Sequence, residues 1–135
     1  SPSSVLIDKS LFYEVGFFDE DLLVCEDYDM WLRMTAFEKV SHISKPLTVK
    51  YGGHKGQLSL KYWGMDRFRI QSLEKILKKV SLSPIQRDLT QKMLIYKLKI
   101  FINGAVKHRN RHGFALYSQK LRYWRDLIMQ ENLLH

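Results

Sequence analysis

The chain has one cysteine, three prolines and seven glycines in 135 residues, and each shortage removes a way of building a small protein. Cys25 alone closes no disulfide within the chain and supplies no zinc cage of its own. Stability must then come from packing, for which 45% apolar and 13% aromatic side chains suffice. Nothing approaches the twenty or so apolar residues of a membrane-spanning helix, and no charged-then-apolar signal segment opens the chain. These absences lead us to expect a soluble, cytoplasmic protein, at most peripheral to the inner face of a membrane. The opening Ser1-Pro2-Ser3-Ser4, running at once into Val5-Leu6-Ile7, reads as a cut through a larger protein.

What is present is strongly uneven in charge. Residues 1–60 hold six Lys and Arg against nine acids, a net of −3, while residues 61–135 hold sixteen against five, a net of +11. An acidic part beside a basic helical part suggests a catalytic or metal-facing portion followed by one that meets phosphates, anionic lipid or nucleic acid. We therefore expect two regions, 1–60 and 61–135.

Val5, Leu6 and Ile7 form a short β-favouring run, with Asp8 as helix N-cap ahead of Ser10 to Val15 and Gly16 as the stop. Asp27 to Phe37 reads as a helix whose first turn carries acids, where the positive end of the helix dipole favours them. Val40, His42, Ile43, Leu47, Val49 and Tyr51 alternate as one or two strands broken at Pro46, and His42 there is structural. Gly52 to Gly56 is a loop. Leu73, Ile76, Leu77 and Val80 then recur at helical spacing, and Ser83-Pro84 starts the next helix. That helix is apolar on two sides: Leu89, Met93, Tyr96 and Ile100 mark one stripe, and Leu94, Leu98, Phe101 and Ala105 another. Two stripes make it the central member of a small bundle. After a break from Asn110 to Gly113, the run Phe114, Tyr117, Leu121, Trp124 and Ile128 predicts a last amphipathic helix.

Three phrases share an order and spacing. They are Val15-Gly16-Phe17-Phe18-Asp19-Glu20, then Glu26-Asp27-Tyr28-Asp29-Met30-Trp31-Leu32-Arg33, then Gly53-His54-Lys55-Gly56-Gln57-Leu58-Ser59. Together, over Pro2 to Ser59, they resemble the closing segment of the family 2 glycosyltransferase catalytic domain, an inverting enzyme of the GT-A fold that serves bacterial cell-envelope polysaccharide synthesis. The resemblance implies an α+β fold: a fragment of a GT-A, Rossmann-like α/β domain with short strands. The basic residues from Lys61 onward would follow as a helical hairpin or three-helix appendage.

The same resemblance implies roles. Transfer of a sugar from a nucleotide diphosphate needs a base for the acceptor hydroxyl and a cationic group for the departing diphosphate. By position, Asp27 is the base and Glu26 its supporting acid, Trp31 and Arg33 line the acceptor side, and His54 lies on the metal or diphosphate side. Without the flanking matches, Glu26, Asp27 and Asp29 would be read only as acids that stabilise a first helical turn, and Asp29 keeps that reading. A lone loop histidine such as His54 is as readily a solvated side chain. Asp19-Glu20-Asp21 and Asp27-Tyr28-Asp29 both spell an Asp-X-Asp string, yet the metal-binding copy of the family lies upstream in the nucleotide half. Divalent Mg or Mn is thus expected in the intact enzyme, held mostly by residues outside this chain, and the chain alone is expected to be inactive.

The expected partners are a nucleotide-sugar donor and a glycan or lipid-linked acceptor. Lys75, Lys78, Lys79, Lys97, Lys99, Lys107, Arg109, Arg111, Lys120, Arg122 and Arg125 interleave with aromatics. A solvated helical face is the first reading of this surface and peripheral contact with an anionic membrane the second. No nucleic acid is expected, because no helix-turn-helix, RNP-like or zinc-ligand signature accompanies the charge. A basic helical binding module for anionic membrane or nucleic acid, without catalysis, is the alternative to the enzyme. Open strand edges, finally, imply a homodimer, strand exchange or aggregation.

Overall fold

A computed structural model describes residues 4–49, 51 and 61–133. Five helices are present among them: α1 Ser10–Val15, α2 Glu26–Phe37, α3 Asp66–Lys79, α4 Pro84–Lys107 and α5 Arg111–Leu133. The chain divides into two compact units, residues 1–65 and 66–135.

The expected α+β architecture is not found. No strand occurs among the described residues, and the chain is all-helical there. Val5 to Ile7 and residues 39–49 run without helix or ladder, and Val40, Ile43, Leu47 and Val49 are exposed. Alternating β-branched residues fit a pleated, half-buried surface, but a strand also needs a neighbour to take its N–H and C=O groups. No such neighbour exists among the described residues, so the GT-A fragment with its short strands is overturned. The sheet-edge argument for a homodimer loses its basis with it.

In unit 66–135, short connections bring consecutive helices back alongside each other, and α4 packs on both α3 and α5. Its start is specified locally. Ser83 Oγ accepts from the Gln86 N–H, the Gln86 side chain accepts from the Ser83 N–H, and Pro84 occupies the first turn. Its end is closed by backbone bonds from Arg109 N–H to Val106 O (3.0 Å) and from Asn110 N–H to Ala105 O (2.8 Å). This paired closure needs a left-handed residue, a place usually given to glycine, and here Arg109 adopts it at φ 54°. Asn110 then starts α5 by accepting from the Gly113 N–H at 2.8 Å. A Cβ at Gly113 would meet Asn110 Nδ2 at 2.8 Å, so the glycine belongs to the cap and lies inside the helix rather than in a break before it.

The core of this unit is the α4 stripe Leu94, Leu98, Phe101 and Ala105, with Phe68, Ile70, Leu73, Ile76 and Leu77 of α3 and Trp124 of α5. Trp124 buries its ring and satisfies its indole N–H by donating to Glu74 Oε1 of α3 at 2.9 Å, while Lys120 reaches the other oxygen of the same carboxylate. Arg87 ties the next turn: it donates to Leu77 O at 3.3 Å, a carbonyl in the last turn of α3, and to Glu131 in the last turn of α5. Glu131 also accepts from Gln91 at 2.7 Å. The second stripe of α4 is not core: Ile85, Leu89, Met93, Tyr96 and Ile100 are all exposed.

The two stripes differ by test. Leu98→Ala, at 0% exposure, is expected to lower unfolding stability by about 2–5 kcal/mol. Leu89→Ala, at 60% exposure, is expected to change it by no more than about 0.5 kcal/mol. Urea denaturation followed by circular dichroism reads both.

Candidate functional site

The site expected from the acids lies on α2 and the turn that follows α1. Asp8 shapes the entry to α1: its Oδ1 accepts from the Ser10 N–H at 2.9 Å and the Ser10 hydroxyl at 2.8 Å, and the backbone bond first among these holds its carboxyl below the usual range. Gly16 ends α1 at φ 84°, ψ 165°, a backbone region open in practice to glycine alone. The helix stops where the sequence placed the stop, for that conformational reason.

Arg33 holds this turn. Its guanidinium donates to the carbonyls of Val15, Gly16 (3.0 Å) and Phe17 (2.7 Å), and its Nε–H donates to Asp29 Oδ2 at 2.9 Å. Asp29 is 1% exposed, one turn earlier on α2, so the pair is largely removed from water. Carbonyls at a helix end are orphan acceptors carrying the negative end of the dipole, and a planar, multiply donating cation matches them better than an ammonium does. Phe12, Tyr13, Phe17 and Phe18 cluster around the clamped turn, with Phe12 and Phe17 stacked at 6.1 Å and Tyr13 edge-on to Phe17 at 5.8 Å.

Ahead of α2, Cys25 is buried and left-handed at φ 63°. A non-glycine residue in that region costs of order 1–3 kcal/mol and persists only where its surroundings over-determine it. Its thiol points to Met65 O at 3.9 Å, and its carbonyl accepts the Asp29 N–H at 3.1 Å. This strained residue stands immediately before Glu26 and Asp27. Nothing in the sequence signals it, since cysteine has no preference for that conformation.

Glu26 and Asp27 sit in the first turn of α2, both half-buried. Asp27 Oδ1 accepts from the Tyr28 N–H at 2.8 Å. Trp31 lies four residues on and is also half-buried, so the two residues share one helical face. Arg33 lies on another face with Asp29. Of the expected site residues, α2 thus brings Asp27 and Trp31 together, while Arg33 is committed to positioning the turn. His54, the Gly53 to Ser59 phrase and the whole Gly52 to Gly56 loop lie outside the described residues. Asp19 Oδ1 accepts from the Asp21 N–H at 3.1 Å, a local turn, and no group of three or more His, Cys, Asp or Glu that could hold a metal ion occurs among the described residues.

No protein-family profile, curated protein or solved structure matches the chain.

The clamp is testable by graded substitution. Arg33→Lys keeps a cation beside Asp29 but loses the fork, and is expected to cost about 1–3 kcal/mol. Arg33→Met also leaves a buried carboxylate without its cation and is expected to cost more, about 3–5 kcal/mol. Guanidinium denaturation of the two variants gives the ordering; equal losses would mean that the fork, and not the charge, matters.

Proposed function

We propose that this chain carries the acceptor side of an inverting sugar transfer, with Asp27 as the general base. The observation that supports it is the contrast between two acids two residues apart. Asp29 is buried and spent on Arg33, while Asp27 is half-buried on the helical face that also carries Trp31, and its Oδ1 accepts a local backbone bond. The ordered phrases around them carry the resemblance to family 2 glycosyltransferases, independently of the architecture expected from it.

In this reading Asp27 takes the proton of an acceptor hydroxyl as its oxygen attacks the anomeric carbon of a nucleotide-linked sugar. The new C–O bond forms on the face opposite the diphosphate, whose oxygen leaves with the electron pair of the broken bond. Configuration at the anomeric carbon is inverted. Trp31 offers an apolar ring against which the C–H face of an acceptor sugar can lie, and Glu26 supports the turn. Arg33 acts through the backbone, holding the segment that precedes the acids. The divalent cation and the nucleotide belong to the donor half of such a reaction.

Two measurements bear on this reading. The 135 residues alone are expected to show no micromolar binding of a UDP-sugar with Mn²⁺ by calorimetry, and tight binding would mean that the donor half has been misplaced. In the full gene product, Asp27→Asn is expected to reduce transfer about 10²–10⁴-fold while leaving sugar-nucleotide affinity intact. Transfer retained by that variant would remove Asp27 from the mechanism.

A further inference from the structure

The stripe Ile85, Leu89, Met93, Tyr96 and Ile100 lies on the side of α4 away from its core stripe, so the outermost surface of the helix is apolar where a solvent face is ordinarily polar. Exposures run from 37% at Ile100 to 74% at Ile85. At 1.5 Å per residue the ridge is about 22 Å long. Lys92 and Lys99 border it and Lys107 continues it, all exposed; the one acid alongside is Asp88, bonded to Lys92 at 2.7 Å. An apolar band of this extent with a cationic flank marks a contact surface.

We propose that this ridge seats the protein on an anionic lipid surface, with the axis of α4 in the plane of the interface. Charge and shape select this occupant. Ile85, Leu89, Met93 and Ile100 enter the boundary between headgroups and acyl chains. Tyr96 has an apolar ring and a hydroxyl that suits the headgroup level, and lysines lying over apolar surface extend their ammonium groups to lipid phosphates. A second copy fits less well, because a two-fold antiparallel pairing centred on Met93 brings Lys92 towards its own counterpart. An acidic partner helix would seek a groove between helices, and this surface is the convex back of one helix. The inference rests on residues 84–107 alone and is independent of the role given to Asp27.

Flotation of the whole chain with vesicles tests it, using phosphatidylcholine alone and phosphatidylcholine containing one part in three of phosphatidylserine. Binding is expected to the anionic vesicles and to weaken with salt. Leu89→Ser/Tyr96→Ser is expected to cut partitioning about tenfold or more, and Lys92→Glu/Lys99→Glu to do the same. Circular dichroism checks that each variant folds, and Ile85→Ser, at the most exposed position, replaces the first pair if it does not. Four results would each overturn the proposal. One is no flotation of the unaltered chain. Another is flotation kept by the stripe variants but lost by Arg122→Gln/Arg125→Gln on α5, which would reduce the effect to diffuse charge. A lipid-free dimer dissolved by Leu89→Ser/Tyr96→Ser would assign the ridge to a second copy. Displacement of vesicles by an acidic helical peptide would assign it to a protein partner.

Discussion

The acidic unit depends on one guanidinium. Arg33 gathers three successive carbonyls from the end of α1 and the turn beyond it, and the buried carboxylate of Asp29 fixes the guanidinium in place. Remove that fork and the glycine turn, the aromatic cluster and the first turn of α2 lose their common anchor. A buried ion pair is by itself weak evidence for stability, because desolvation offsets its attraction. Its contribution here is specificity: a fan of donors can satisfy these carbonyls in only one arrangement of the two helices.

That arrangement gives neighbouring acids different work. Asp29 is consumed by structure, whereas Asp27 shares a helical face with Trp31 and makes a local hydrogen bond to the Tyr28 N–H. Strain at Cys25 is stored immediately before this pair. Sub-optimal backbone next to an under-used carboxylate is the pattern expected where local rules yield to chemistry. In the basic unit the same kind of departure appears on α4, whose second apolar stripe is left outside the core. A helix that needed only to pack would carry polar residues there.

The sequence was most legible where the signal was local. Ser83-Pro84 announces the start of α4 through its capping box, Gly16 ends α1, and the acids after Cys25 open α2. Contacts made over distance were hidden. No pattern in residues 26–33 says that the Arg33 side chain reaches back to Val15. Periodicity identified both stripes on α4 but could not tell which one is covered, since that depends on where α3 and α5 lie. The strands failed for a related reason: alternation at Val40 to Tyr51 describes how residues would sit on a sheet, not whether a sheet is there. Arg109 and Cys25 in left-handed conformations had no sequence signal at all.

The division of labour between the two acids is the central claim, and crossed substitution in the full gene product tests it most directly, with transfer rate and thermal unfolding measured on the same samples. Asp29→Asn is expected to lower the Tm and to reduce transfer only as far as folded protein is lost, whereas Asp27→Asn is expected to leave the Tm unchanged and remove transfer. An Asp27→Asn variant that unfolds early, or an Asp29→Asn variant that is fully stable yet inactive, would contradict it.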